Sequence, residues 1–413
     1  MKKKDILFLC QYFYPEYISS ATLPYDTALA LKKENFSIGV LCGFPKEYSK
    51  NQSVGLNEVH EGIAIKRLRY IQLNRVNLLG RIINYFSFTF AVFLRLLHFR
   101  NFKVVIVYSN PPILPLVATL ANIIFNIKII FVSYDVYPEI AIRLNAIKDN
   151  GFMYRVMMMT NDLIFKRSKK VIALSIDMKN FFLKNRKNVQ EENIIVIPNW
   201  YEEVELSNKS SSNISEYFLK LRKNNKFIIS YFGNMGIAQE FETLLGAIEH
   251  FKNDEHVHFV FAGHGSKLSM LKDTISNSFT SNVDFHDFLI GEDYHQALTS
   301  TDVFVVSLNN NLMGLASPSK FYPYLMAGKP IITIMNKEID IAREIEKYDA
   351  GYCLNVGDVD KLIDVINHLK NNRGEGMQKG SNARLLFLEK YTKQIATDKY
   401  VNMIKDVLEA NHV

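Results

Sequence analysis

Cysteine is scarce. The 413-residue chain has three, Cys10, Cys42 and Cys353, far apart and without a C-x-x-C pair. That argues against a disulfide-stapled module and a thiolate zinc site, and reduced thiols are the expected state. Histidine offers no substitute: His256 and His258 alternate along a strand pattern, and His264, His286 and His295 lack an i, i+4 companion. No metal site is expected. The nucleophile elbow G-x-S-x-G and the Walker A lysine loop are missing as well. Long apolar runs are also wanting. The start M-K-K-K-D-I-L-F-L-C is basic like a leader, but its apolar run stops at Gln11, so it reads as a first strand. In Leu78 to Leu97 only 13 residues separate Arg81 from Arg95, and Asn84 interrupts them. A membrane span needs about 20 apolar positions.

The last absence is of acid. Between Glu61 and Asp135 lie 73 residues with no Asp or Glu and nine cations, from Lys66 to Lys128, against +7 for the whole chain. One block carries the entire imbalance. A membrane-interface segment fits residues 66–103, with Arg75, Arg81, Arg95 and Arg100 toward anionic headgroups and Tyr85, Phe86, Phe88, Phe90 and Phe93 toward acyl chains. An ordinary helix buried on a sheet accounts for the apolar face but not for the missing acids. Nucleic acid is not expected, because no recognised binding motif accompanies the charge.

What is present is ordinary globular material, 48% apolar and 22% charged, long enough for two or three domains. Short apolar runs alternate with amphipathic stretches of 10 to 15 residues, the signature of β-α-β units on parallel sheets. Strands are predicted at 5–10, 38–42, 104–108, 127–133, 171–173 and 194–197, then at 227–232, 257–262, 283–286, 303–306, 331–334 and 352–354. A helix is predicted over 21–33, with Ser19 or Ser20 as its N-cap. The polar stretch Ser207–Asn213 separates the two series. This divides the chain into residues 1–205, residues 206–389 and a closing helical segment, 390–413, long enough to reach back toward the first domain. The fold class is α/β, with two doubly wound domains.

In such sheets ligands sit beyond the carboxyl ends of the strands. The 227–232 strand runs into G-N-M-G-I-A-Q-E, with Gly233 and Gly236 and a helix near Gln239. The 257–262 strand runs into G-H-G-S, with Gly263 and Gly265. Each is either a tight turn or a place where backbone approaches an anion. The segment S-P-S-K-F-Y-P-Y-L-M-A-G-K-P offers Ser317 as N-cap, Pro318 at the first helical position, then Ser319 and Lys320 in the first turn. A lysine there opposes the helix dipole, so it either extends into solvent or meets an anion such as a pyrophosphate. Asp135, after the 127–133 strand, is an acceptor-hydroxyl or donor-sugar contact, or else a helix N-cap. Tyr12 and Glu16 in the first loop carry the same ambiguity.

Taken together, V-I-A-L-S, N-I-I-V-I-P-N-W, G-N-M-G, G-H-G-S and P-S-K-F…A-G-K-P resemble the GT-B retaining glycosyltransferases of family 4 (group 1) over nearly the whole chain. C-Q-Y-F-Y-P-E and S-Y-D-V-Y-P-E are similar to the branch that includes N-acetyl-fucosamine transferases of bacterial O-antigen and capsule assembly. The resemblance implies two Rossmann-like domains facing a cleft, with a nucleotide-sugar donor, UDP-sugar expected, on the second domain. The acceptor, a polyprenyl-diphosphate-linked saccharide, falls to the first. It implies catalytic roles for Asp135 and Lys320 and donor contacts from Gly233, Asn234, Gly236, Gln239, Gly263, Gly265, Phe288 and Ser317 to Lys320. Tyr12, Glu16, Ser19, Ser20 and Glu139 fall on the acceptor side. No metal or further cofactor is implied, and the expected location is cytoplasmic, peripheral to the inner face of the cell membrane.

This chain departs from the family's pattern. Asn234 and Gln239 stand where the family has Arg and Lys on the diphosphate, and Pro323 and Leu315 stand where it has a pair of Glu. Two rival readings are a GT-B nucleotide-sugar epimerase and a non-catalytic, transferase-like partner subunit.

Overall fold

A computed structural model of the chain describes residues 3–45, 54–73, 78–187, 189–205, 212–278 and 280–409. Arg75 and most of the Ser207–Asn213 stretch lie outside them. The chain forms two compact units, residues 1–199 with 314–317 and 393–413, and residues 200–313 with 318–392.

The first unit holds β1 (Lys4–Leu9), β2 (Ile38–Gly43), β3 (Asn57–His60), β4 (Ile63–Leu68), β5 (Phe102–Tyr108), β6 (Lys128–Ser133), β7 (Ser168–Ala173) and β8 (Ile194–Val196). Their order is β3-β4-β2-β1-β5-β6-β7-β8. All pairs are parallel except β3 on β4. Strands covered on both faces must be apolar throughout. Ile6 to Leu9 and Val104 to Val107 are accordingly fully buried. The β3–β4 hairpin was not predicted; its turn, Glu61-Gly62, has positive φ at both residues, 49° and 73°.

The first helix spans Ser19–Lys33 and Ile18 occupies its N-cap position without a side-chain bond. Ser19 and Ser20 are therefore inside the first turn and do not cap it. The amides of Ala21 and Thr22 bond the Ile18 carbonyl at 2.8 and 3.0 Å, which starts the helix ahead of the serines. The last helix, Lys393–Glu409, packs on this one through Lys393–Asp26 and Lys405–Glu34 ion pairs of 2.8 and 2.7 Å.

The second unit holds β9 (Phe227–Phe232), β10 (Val257–Ala262), β11 (Val283–His286), β12 (Val303–Ser307), β13 (Ile331–Ile334) and β14 (Gly351–Leu354). The order β11-β10-β9-β12-β13-β14 is parallel throughout. It reverses between β9 and β12, as the first sheet does between β1 and β5, and such reversal points open a crevice at the strand ends. The turn beginning at Gly233 follows β9 directly.

Candidate active site

In the second unit, Gly233 leaves β9 at φ 117°, a conformation that L side chains rarely adopt. The helix expected near Gln239 begins only at Glu242. Gln239 Oε1 accepts the Gly236 amide at 2.9 Å and closes the turn on itself. The Asn234 carbonyl accepts from the Tyr231 hydroxyl at 3.2 Å and from Lys320 Nζ at 3.2 Å.

Gly263 and Gly265 nest against the Gly233 turn. A Cβ on Gly263 would sit 2.1 Å from the Gly233 carbonyl oxygen, and one on Gly265 would sit 2.2 Å from that of Met235. Their lack of a side chain lets the two turns interlock, with Met235 N donating to the His264 carbonyl at 2.7 Å. Gly233 has only Lys320 Cε near its Cβ position, at 3.5 Å. Phe288 packs against the His264 ring at 5.1 Å between centroids.

The segment at Ser317 differs from its prediction. The helix is short, Phe321–Met326, with Lys320 rather than Ser317 at its N-cap position. Pro318 is not its first helical residue, because the Phe321 amide bonds the Pro318 carbonyl at 3.2 Å and turns the chain first. Lys320 therefore neither sits in a first helical turn nor extends into solvent. It is 8% exposed, donates to the Tyr231 hydroxyl and the Asn234 carbonyl, and stands 3.9 Å from the Tyr231 ring centre. All these partners are neutral, and burial lowers its pKa to about 7. An ammonium without a carboxylate beside an open glycine turn is suited to an anionic ligand. Ser319 is exposed and Pro318 buried. Sequence reasoning missed Tyr231, whose only signal is its place one residue before the end of β9.

In the first unit, Asp135 lines a pocket with Ser109, Tyr137, Asn161 and Arg186. The following helix is Glu139–Arg143 with Pro138 at its N-cap position, so the N-cap reading of Asp135 does not hold. Ser109 Oγ accepts the amides of Tyr134 and Asp135 at 2.9 and 3.3 Å and fixes this loop. Among the described residues the Asp135 carboxylate has no hydrogen-bond or cationic partner, and burial alone raises its pKa to about 6. Glu139, in contrast, is engaged: Arg186 holds both its oxygens at 2.6 Å and donates to the Tyr137 carbonyl at 3.0 Å. Its carboxylate anchors the loop. Tyr12 and Glu16 are buried, Ser19 is exposed and Ser20 half-buried.

The basic block divides. Arg67 is buried and bonds the carbonyls of Tyr14 and Gly55 and the Glu58 carboxylate, so it is not a headgroup ligand. Lys103 is paired with Asp5 at 2.7 Å. The helix Leu78–Phe93 buries Phe88 and Val92, and Phe88 leaves the proposed lipid-facing set. Asn84, expected only as an interruption, clamps the Leu73 backbone through both of its amide atoms, at 2.7 and 2.9 Å. Phe86, Phe90, Phe93, Leu94 and Leu97 are exposed, as are Arg95 and Arg100. Among the described residues no helix is long and apolar enough to cross a membrane, and no group of three or more His, Cys, Asp or Glu could hold a metal.

Residues 226–372, within the second unit, match the sequence model of the family described as glycosyl transferases group 1. A relative from Pseudomonas aeruginosa, "Probable glycosyltransferase WbjE", is 25% identical over 322 residues, 76% of this chain and 77% of its own. Among solved structures, HepE of Anabaena in complex with UDP and glucose superposes with a TM-score of 0.72 at 16% identity, covering 98% of this chain and 100% of that one. Sucrose-phosphate synthase from Thermosynechococcus elongatus gives 0.73 at 13% identity, with 99% and 100% covered. The molecule is thus a glycosyltransferase with the GT-B fold. Its second unit carries the group 1 segment.

Proposed function

We propose that the enzyme is a retaining glycosyltransferase that moves a hexosyl or N-acetylhexosaminyl group from a UDP-sugar to a polyprenyl-diphosphate-linked saccharide. The process served is assembly of a surface polysaccharide such as capsule or O-antigen at the inner face of a bacterial membrane. The carrying observation is Lys320, a buried ammonium among neutral partners beside the Gly233 turn, at the sheet's reversal point. The diphosphate of the donor supplies the missing counter-charge there. HepE, solved with UDP and with UDP-glucose, supports the choice of nucleotide, and the resemblance of C-Q-Y-F-Y-P-E and S-Y-D-V-Y-P-E to the N-acetyl-fucosamine transferase branch supports the pathway.

In this reading the leaving phosphate takes the acceptor proton on the face it departs from, so the protein's contribution is positioning and electrostatic stabilisation. Lys320 stabilises the leaving group. Asp135, unpartnered in its pocket, orients the acceptor hydroxyl. No cofactor or metal enters the scheme. The exposed aromatic edge of the Leu78–Phe93 helix, flanked by Arg95 and Arg100, docks on anionic lipid and brings the enzyme to its acceptor.

The test is calorimetric titration with UDP and GDP, followed by a screen of UDP-sugars against membrane extract. UDP binding with transfer of label into lipid-extractable product is expected. Release of free sugar instead indicates the epimerase, and absence of nucleotide binding overturns the reading.

A further inference from the structure

Lys267 follows the G-H-G-S turn and is bound to the neighbouring turn at two points. Its amide donates to the Met235 carbonyl at 2.9 Å, and its Nζ donates to the Gln239 carbonyl at 2.8 Å. The first bond fixes the residue against the turn and the second places the ammonium at the turn's far end. Lys320 Nζ occupies the near end, at the Asn234 carbonyl. Neither lysine has an ion-pair partner among the described residues. Between them the amides of Asn234, Ile237 and Ala238 donate to no acceptor among the described residues, while those of Gly233, Met235, Gly236 and Gln239 are all used. Free amides in a turn form an anion-binding concavity. Here one is flanked by an ammonium on each side. Residues 233–239 contribute no cation of their own, since Asn234 and Gln239 are neutral, and the next residue, Glu240, is a buried carboxylate whose Oε1 accepts the Thr243 amide at 2.9 Å.

Resting on the donor assignment above, we propose that Lys267 is a second diphosphate-binding cation, supplied from the adjacent turn in place of the charge missing from the Gly233–Gln239 loop. With Lys320 it brackets a doubly negative group seated on the three free amides. The interlock of Gly265 with Met235 sets its reach.

Titration of UDP into Lys267→Gln, Lys267→Arg and wild type at low and high salt tests this. A charge-assisted contact to phosphate is worth about tenfold or more in affinity, so Lys267→Gln should weaken UDP by that factor and flatten the salt dependence. Lys267→Arg should retain most of the affinity. Unchanged UDP binding in Lys267→Gln, while Lys320→Ala still loses it, overturns the role of Lys267 and leaves the transferase reading standing. Equal loss in the Arg and Gln variants shows a packing role only and also overturns the proposal. Wild type that binds neither UDP nor GDP removes both readings.

Discussion

The Lys320 ammonium lies 3.9 Å from the centre of the Tyr231 ring and donates a hydrogen bond to the hydroxyl of the same residue. A phenol ring and a carbonyl thus take the place of the carboxylate that a buried lysine ordinarily requires. The arrangement leaves a positive charge available to a ligand at the expense of the free protein's stability.

That trade is measurable. With a native pKa of about 7 against 10.5 for an unburied lysine, the native state binds fewer protons than the unfolded one between those values. Stability then rises with pH across that window. Lys320→Met should remove this slope and leave the melting temperature at pH 7 unchanged or higher, while UDP affinity falls at least tenfold. UDP binding to wild type near pH 8 should take up a proton, detected by calorimetry in buffers of different ionisation enthalpy. A variant that melts lower while UDP affinity is intact would contradict this.

Asp135 should show the opposite slope. Its pKa of about 6 in the fold exceeds the ordinary 3.8, so the native state holds the extra proton between those values and stability falls as pH rises through them. Asp135→Asn should stabilise the protein at pH 7 by on the order of 1–3 kcal/mol. Transfer activity should fall, since a neutral amide oxygen accepts a weaker hydrogen bond from the acceptor hydroxyl than a charged carboxylate does. In wild type, activity should rise through pH 6, and an activity profile flat from pH 5 to 7 would count against the role.

Arg186 is an anchoring residue. Its side chain is 1% exposed and that of Glu139 is 23% exposed, so Arg186→Ala strands a carboxylate in a mostly dry site. The expected loss is on the order of 2–4 kcal/mol, below the range for a wholly buried pair. Chemical denaturation reads it, and a loss under 0.5 kcal/mol would indicate a pair that water already screens.

For the surface, Phe90→Glu and Leu97→Glu should keep their melting temperatures, because these side chains are 60% and 68% exposed. Flotation with anionic vesicles should drop several-fold. Equal recovery on neutral vesicles by the wild type would remove the electrostatic part of the membrane reading.

The sheet strands were legible because parallel strands covered on both faces are written as short continuous apolar runs. Phe227–Phe232, Val257–Ala262 and Ile331–Ile334 coincide with their predicted bounds, as does the half-buried edge strand Val283–His286, although its V-D-F-H is not such a run. The β3–β4 hairpin was not, since its strand N-E-V-H sits half-exposed at an edge and carries little apolar pattern. Ser317, Pro318 and Lys320 have the spelling of a helix start, but the Pro318 carbonyl takes the Phe321 amide and postpones it. Charge counting found the basic block yet could not separate Arg67, which ties the loops at Tyr14 and Gly55 to Glu58 of β3 from inside, from Arg95 and Arg100 at the surface. Lys267 was invisible because its position depends on one turn nesting in another, far away in sequence.

That nesting constrains redesign. With the Gly263 and Gly265 α-carbons pressed on the carbonyls of Gly233 and Met235, a loop transplanted from another enzyme will fit only if its neighbour is exchanged in the same operation. Attempts to alter donor preference should carry both segments as a single cassette and confine diversity to the side chains of His264 and Phe288, which lie outside the locked backbone.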